Sequence, residues 1–206
     1  MMISPSLLTK YRKTFLKVRS LLNKHRLYFF NLIDAQPEIN VSDLTKIAGF
    51  DQAITSQFIA ILRKAGFLKT RREGRTIFYS THKSEVCKLI TLASSISSSK
   101  KVEFDAMTSA NLLSTNYNAI LRIHTILKIL SNKNRLHILD YVLANPNKSI
   151  KDITEELGMK RGMVSLSLKM FCNIQFMIYE EHHTIMQFKI NKPFFEKFND
   201  AIEEYI

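Results

Sequence analysis

Polar side chains able to contact nucleic-acid bases are concentrated in one short segment of the first half of the chain. They are Gln52, Thr55, Ser56 and Gln57. Glutamine can form two hydrogen bonds with adenine in the major groove, and serine and threonine hydroxyls bond to bases or phosphates. Arg63 and Lys64 follow later in the segment, where contact with phosphates is expected. These residue types predict DNA contact, with simple solvation of an exposed surface as the alternative.

A run of basic residues follows this segment. Arg71, Arg72 and Arg75 flank Glu73 and Gly74 between two short apolar runs. Long cationic side chains in such a turn have the reach to contact the phosphate backbone or the minor groove. A basic turn beside a segment rich in serine and glutamine is the combination that DNA binding needs.

The elements that must position these side chains are predicted from residues 41–80. A short helix is expected to start at Ser42 as its N-cap, and a second helix to start near Asp51. Gly49 lies between them, where the turn needs a positive φ, and Gly66 ends the second helix. The apolar stripe of the second helix is predicted to consist of Ile54, Phe58, Ile61, Leu62 and Ala65. Two strands joined by the charged turn follow, so the segment predicts a helix-turn-helix with a basic wing.

The rest of the chain is predicted to be largely helical, and its pattern repeats once. Helices are expected over residues 5–22, 24–35, 83–95, 106–130 and 192–205. Residues 130–136 (LSNKNRL) match residues 21–27 (LLNKHRL) at an offset of 109, and Gly158 follows Gly49 at the same offset. A register held over about sixty residues indicates an internal repeat.

The predicted fold class is therefore mainly α with small β-hairpin wings (α+β), built as two tandem winged helix-turn-helix domains. The first domain is expected over residues 1–98 and the second over residues 105–206. A run rich in serine and lysine, residues 99–104, is expected to be the linker.

The positive charge is concentrated in the first half of the chain. Residues 1–100 contain 17 Lys and Arg against 6 Asp and Glu, a net charge of +11, whereas residues 101–206 contain 13 against 12, a net charge of +1. A basic half beside a nearly neutral half predicts that the first domain meets a polyanion.

The second copy is less suited to DNA contact. Lys160, Arg161 and Ser165 fall where the first copy has its polar segment, but Glu180 and Glu181 stand in place of two wing arginines. Carboxylates there would be repelled by DNA phosphates. The second copy is therefore predicted to be degraded for DNA contact or adapted to a partner.

Catalytic, metal-binding and membrane functions have no motif support. No nucleophile–base pair, phosphate loop or paired-carboxylate signature occurs, so neither an enzyme nor a cofactor is expected. Cys87 and Cys172 lie in no CxxC pair, and no apolar run approaches the ~20 residues of a membrane span. The first residues lack the apolar core of a signal peptide. We expect a cytoplasmic protein without a metal site.

Several short motifs occur at the spacing of a known family. They are residues 22–27 (LNKHRL), 41–44 (VSDL), 56–59 (SQFI), 62–68 (LRKAGFL), 73–80 (EGRTIFYS) and, in the second copy, 130–139 (LSNKNRLHIL). With these motifs each copy resembles the ArsR-type winged-helix family of bacterial and archaeal regulators. Family members that sense metals do so through cysteines on the third helix or His and acidic residues on the closing helix. Residues 42–48 contain neither Cys nor His, and residues 83–95 offer only Glu85 and Cys87, so metal sensing is not expected.

The residues and the resemblance together predict a DNA-binding, repressor-like transcriptional regulator. Its second helix would read the major groove of double-stranded DNA, and its wing would contact the backbone or minor groove. Because family members are usually single-domain homodimers, the two copies are expected to form an intramolecular pseudo-dimer or one subunit of a homodimer. The alternative is a winged-helix interaction scaffold that binds an acidic protein.

Overall fold

The computed structural model describes residues 4–97 and 107–205, which are mainly helical with small antiparallel sheets. The predicted class, mainly α with small β-hairpins, is thereby confirmed. The first half contains α1 (Pro5–Leu21), α2 (Lys24–Ala35), β1 (Ile39–Asn40), α3 (Val41–Ala48), α4 (Gln52–Lys64), β2 (Leu68–Glu73), β3 (Thr76–Thr81) and α5 (Lys83–Ser97). The second half contains α6 (Ser109–Thr115), α7 (Tyr117–Leu130), α8 (Lys133–Ala144), β4 (Lys148–Ser149), α9 (Ile150–Leu157), α10 (Arg161–Asn173), β5 (Met177–His182), β6 (Ile185–Ile190) and α11 (Lys192–Tyr205). Among the described helices, none combines the length and apolar character that crossing a bilayer requires.

The elements of the two halves follow one another at a constant spacing. Helix α8 begins at residue 133 and α2 at residue 24, a difference of 109. The same difference separates the starts of α9 and α3, of α10 and α4, of β5 and β2, and of α11 and α5. Each half therefore carries a helix-turn-helix, a hairpin and a closing helix in the same order.

Each hairpin pairs with a short third strand that was not predicted. In the first sheet β1 pairs antiparallel with β3, with Ile39 opposite Tyr79. In the second sheet β4 pairs antiparallel with β6, with Lys148 opposite Phe188. Strands of two residues are too short to show an alternating pattern in the sequence.

The N-cap of α3 is Asn40, two residues before the predicted Ser42, so the helix begins at Val41. The Asn40 backbone is extended, and its side-chain oxygen accepts a hydrogen bond from the backbone N–H of Asp43 at 3.0 Å. This bond satisfies one of the N–H groups that the first helical turn leaves without a partner.

The helix predicted over residues 106–130 is divided into α6 and α7 by Asn116. The Asn116 side chain donates to the carbonyl of Leu112 at 2.9 Å, and its backbone leaves the helical region at φ −104° and ψ 13°. An asparagine side chain that bonds to a nearby carbonyl competes with the helical backbone.

The described residues form two compact units, and the first contains residues 15–97, 107–124 and 205. Its fully buried side chains include Val18, Phe29, Phe30, Ile33, Leu44, Leu62, Phe67 and Leu89. Asp34 links α6 to this unit, since its carboxylate accepts from the Thr81 hydroxyl at 2.7 Å and from the Ala110 backbone N–H at 2.8 Å.

The second unit contains residues 4–14 and 125–204. Tyr11 links the start of α1 to this unit, since its hydroxyl donates to Asn199 Oδ1 and its ring lies 5.8 Å from that of Phe198. Burial raises the pKa of Tyr11. Other buried side chains include Ile138, Leu139, Val142, Phe171, Phe176 and Ile202.

Each unit thus draws on both halves of the sequence. The division into domains at residues 1–98 and 105–206 stays a prediction, and the predicted linker at residues 99–104 lies outside the described residues.

Candidate nucleic-acid interface

Helix α4 presents a polar stripe on the surface of the first unit. Six of its exposed positions recur at i, i+3, i+4, i+7, i+10 and i+11, which is one face of an α-helix. They are Ala53, Ser56, Gln57, Ala60, Arg63 and Lys64. Gln52, the first residue of the helix, is also exposed. The structure therefore places Gln52, Ser56, Gln57 and Arg63 of the predicted site on the surface of a single helix.

Thr55 faces the core, which corrects its prediction as a DNA contact. Its side chain is 0% exposed, like that of Leu62, and Ile59 is 1% exposed. Ile54, predicted to be buried, is 39% exposed. The side of α4 that faces the core thus includes Thr55 and Ile59, which were not predicted, together with Leu62, which was. Of the other predicted positions, Phe58, Ile61 and Ala65 are half-buried. The equivalent position of α10 holds Val164, which is also 0% exposed.

Aromatic packing holds α4 in place within the first unit. The Phe58 ring lies 5.8 Å from Phe29 and 6.3 Å from Phe50, and it stacks on His25 at 5.9 Å. Gly49 precedes this cluster with a φ of 67°, a left-handed conformation that glycine adopts freely. This packing holds α4 against the first unit and leaves its exposed stripe on the surface.

The first wing is the hairpin of β2 and β3, residues 68–81. Its exposed charged residues are Lys69, Arg71, Arg72, Glu73 and Arg75. Arg72 Nε donates to the carbonyl of Gly74 at 3.0 Å. Four basic side chains against one acidic side chain give this hairpin a net charge of +3, and it belongs to the same unit as the stripe of α4.

Arg71 is paired with two carboxylates. Its Nε donates to Glu38 at 2.5 Å and its Nη1 donates to Glu73 at 3.0 Å. The centre of the guanidinium lies 5.0 Å from the centroid of the Phe78 ring. The hydrogen bond with Glu38, followed by that with Glu73, raises the pKa of Arg71. Any contact of Arg71 with DNA therefore competes with these carboxylates.

Helix α10 of the second unit is basic at its start. Lys160 is the N-cap and Arg161 the first helical residue, and both are exposed, as is Ser165. Ser167 is buried and donates to a carbonyl of the preceding turn at 2.7 Å. Leu166 is 53% exposed. The predicted residues Lys160, Arg161 and Ser165 thus lie on one surface helix, beside an apolar side chain.

The second wing, the hairpin of β5 and β6 over residues 177–190, is acidic and apolar. Glu180 pairs with the ammonium of Lys189, which lowers the pKa of Glu180, and Glu181 is exposed. Four apolar side chains on the same hairpin are 42–54% exposed, namely Ile178, Tyr179, Ile185 and Met186. The charge contrast between the two wings therefore lies on exposed surfaces.

Two exposed basic residues of these surfaces were missed in the sequence. Lys69 lies on β2 and Lys169 on α10. The buried positions Val164, Leu168 and Phe171 recur at helical spacing, so the apolar period of α10 would have placed Lys169 on the surface.

Metal and thiol chemistry have no evident site here. Across residues 4–97 and 107–205, no group of three His, Cys, Asp or Glu side chains is placed to hold a metal ion. Cys87 and Cys172 are half-buried, and burial raises the pKa of the Cys172 thiol. A raised pKa disfavours the reactive thiolate.

Comparison with known proteins assigns the family. Over 80 residues the chain is 30% identical to the transcriptional activator HlyU of Vibrio cholerae serotype O1, an alignment that covers 39% of this chain and 73% of HlyU. The chain belongs to the same family of transcriptional regulators as HlyU. As a member of that family, the regulator is not an enzyme. The crystal structure of NolR from Sinorhizobium fredii is 25% identical, with a TM-score of 0.39, over 48% of the regulator and 99% of NolR. The sequence matches no established protein-family model.

Proposed function

We propose that the regulator binds double-stranded DNA through its first unit, with α4 in the major groove and the first wing against the backbone or minor groove. The observation that carries the proposal is the exposed polar stripe of α4. Thirteen helical residues extend about 20 Å, and the major groove is about 12 Å wide and admits an α-helix. Gln52, Ser56 and Gln57 lie toward the N-terminal end, which meets base edges, and Arg63 lies farther along, toward phosphates.

The charge of the first wing supports the same orientation. Arg72 and Arg75 are exposed on a hairpin of net charge +3. Each Lys or Arg that neutralises a phosphate releases counterions, so binding should weaken steeply with salt. The second wing has a net charge of −1, which makes it the weaker of the two for DNA.

We propose further that the chain is a tandem duplication of an ArsR-like winged helix. The constant offset of 109 residues between equivalent elements supports this proposal. An intramolecular pseudo-dimer is favoured because each unit contains residues from both halves, as the Tyr11–Asn199 and Asp34–Ala110 bonds show. Sedimentation distinguishes this arrangement from a homodimer: a 23.9 kDa monomer that binds DNA supports the pseudo-dimer, and a species of twice that mass supports the homodimer.

We also propose that the regulator acts in the cytoplasm, where bacterial and archaeal transcription takes place.

The resemblance implies repressor-like action, whereas HlyU is named an activator. A reporter assay with the selected binding site upstream of, or overlapping, a promoter decides the sign.

The test of DNA binding is selection from a random duplex pool, followed by titration of the selected duplex at several salt concentrations. Ser56→Ala and Gln57→Ala are expected to weaken specific binding by about 1–3 kcal/mol each. Asn31→Ala, which truncates an exposed polar side chain of α2, serves as the matched control. Duplex binding no better than millimolar at low salt would overturn the proposal.

A second candidate function, protein–protein scaffolding, is favoured by the second wing. Tyr179 and Ile185 are 53% and 54% exposed, and clustered apolar side chains on a surface commonly mark interaction sites. A scaffold whose basic half binds an acidic protein would retain that protein after nuclease treatment. A pull-down with wild type and Tyr179→Thr, which introduces the residue found at the equivalent Thr70, tests the role of the second wing. Absence of any nuclease-resistant partner would contradict scaffolding.

A further inference from the structure

Arg71, Glu38, Glu73 and Phe78 form a compact cluster on the first wing. The two carboxylates engage Nε and Nη1 of the guanidinium, and the Phe78 ring lies against it. The side chains of Arg71 and Glu38 are 53% and 46% exposed, so the cluster is open to solvent and to a ligand. Two carboxylates and one guanidinium give it a net charge of −1.

The sheet holds Glu38 beside Arg71. Glu38 has a left-handed backbone with a φ of 66°, and its N–H donates to the carbonyl of Tyr79 at 3.0 Å. Arg71 lies opposite Phe78 in the β2–β3 register. Phe78 and Tyr79 are adjacent on β3. The backbone pairing alone therefore places Glu38 next to Arg71, whatever the rotamers of their side chains.

The second unit shows that this pair is not needed to build a wing. The positions equivalent to Glu38 and Arg71 hold Asn147 and Glu180. Asn147 nevertheless has a φ of 64°, and its N–H donates to the carbonyl of Phe188 at 2.9 Å. The second hairpin keeps the same six-residue register. The wing can therefore form without the Glu38–Arg71 pair, so the pair is not explained by the needs of the fold.

We propose that Glu38 is a positioning residue that competes with DNA phosphates for the guanidinium of Arg71 and thereby limits the affinity of the regulator for DNA. This inference rests on the proposed DNA-binding function. While Nε and Nη1 of Arg71 donate to Glu38 and Glu73, the same pair of N–H donors cannot form a bidentate contact with a phosphate. The net negative charge of the cluster also opposes the approach of the DNA backbone. Arg71 therefore reaches phosphate only by exchanging Glu38 for it.

The test is a double-mutant cycle on the full chain, with Glu38→Gln, Arg71→Ala and the double variant. Binding to the duplex selected with the wild-type chain is measured by fluorescence anisotropy at several salt concentrations. Glu38→Gln is expected to tighten binding about two- to five-fold, the range of an exposed ion pair. It is also expected to steepen the slope of log K against log salt by ~0.9, the contribution of one more phosphate contact. Both effects should disappear when Arg71→Ala is present.

Asp43→Asn is the matched control. Asp43 is an exposed carboxylate that contacts Asn40 and Lys46, so any gain from removing its charge should be the same with and without Arg71. A gain from Glu38→Gln that persists in the Arg71→Ala background, or no gain at all, overturns the inference while the proposed function stands. A wild-type chain that binds no duplex overturns the proposed function itself. Circular dichroism confirms that each variant is folded.

Discussion

Gly66 and Gln175 end helices α4 and α10 with the same left-handed backbone, at φ values of 83° and 66°. In both cases the N–H of the next residue, Phe67 or Phe176, donates to the carbonyl five residues earlier. This is the bond that closes a Schellman motif. Glycine adopts the conformation freely, whereas a residue with a Cβ pays about 1–2 kcal/mol. The end of α10 is therefore strained where the end of α4 is not.

Gln175→Gly is expected to raise the free energy of unfolding of the second unit by about 0.5–1 kcal/mol, because relief of strain exceeds the entropy that glycine adds to the unfolded chain. Gly66→Ala is expected to lower the stability of the first unit by about 1 kcal/mol. Urea denaturation measures both. Lys169→Gly, in the regular part of α10, is the control and should cost about 1 kcal/mol. A loss of stability in Gln175→Gly would contradict the prediction.

Arg72→Ala and Arg75→Ala are each expected to weaken DNA binding and to lower the salt slope by about one. Both side chains are exposed on the first wing, so their loss removes phosphate contacts without opening a cavity. Anisotropy titrations over a range of salt concentrations provide the measurement. Lys197→Ala removes an equal charge from α11 of the second unit and should leave the slope unchanged. If Arg72→Ala and Arg75→Ala leave the salt slope at the wild-type value, as Lys197→Ala should, the first wing does not contact DNA phosphates.

Thr55→Val is expected to leave DNA binding unchanged and to raise the stability of the first unit by about 1 kcal/mol. The Thr55 hydroxyl is buried, and among the described residues it has no hydrogen-bond partner. Burying an unsatisfied polar group costs about 1–3 kcal/mol, which valine avoids at nearly the same volume. Thermal denaturation and a DNA titration are measured together. If affinity falls while stability rises, Thr55 contacts DNA after all.

The ion pair of Lys17 with Glu85 should make the stability of the first unit depend on pH. Burial by itself raises the pKa of Glu85, but hydrogen bonds from Lys17 and Lys88 outweigh it and leave that pKa lowered. A carboxylate with a lowered pKa stabilises the fold above its unfolded pKa of about 4.3, and the contribution is lost as the pH falls through the folded value. Glu85→Gln should therefore cost about 1–2 kcal/mol at pH 7. The difference from wild type should shrink below about pH 4.

Urea denaturation at pH 7 and at pH 3 measures this difference. Glu203→Gln is the control, because Glu203 is 58% exposed and pairs with Lys10 at 3.7 Å. An exposed pair of this kind contributes little at either pH. If Glu85→Gln lowers the free energy of unfolding equally at pH 7 and pH 3, the charge of Glu85 is not the cause of the loss of stability.

Elements with local signals at both ends could be predicted from the sequence. Helix α2 spans the predicted residues 24–35 because Asn23 caps its first turn and Gln36, before a proline, ends it. Helix α11 also spans the predicted residues 192–205. Signals of this kind reside in a few neighbouring residues, so no knowledge of the packing is needed.

The details of the candidate site depend on packing and could not be read in the same way. The buried side of α4 was predicted from the apolar residues alone, and Thr55 was assigned to the wrong face because a threonine in the core looks polar in the sequence. The bond between Glu38 and Arg71 joins residues 33 positions apart. It depends on the pairing of β1 with β3, and a two-residue strand leaves no recognisable pattern.

The packing of α6 in the first unit, which includes the bond between Asp34 and Ala110, also has a consequence for folding during synthesis. Leu112 and Leu113 of α6 are 0% and 3% exposed, so the first unit has an incomplete core until residues 107–124 have left the ribosome. Residues 4–14 can complete their packing only later, because their partners in the second unit lie within residues 125–204. Domains generally fold as units, N-terminal first. Helix α1 therefore completes its contacts only after the residues of the second unit have been synthesised.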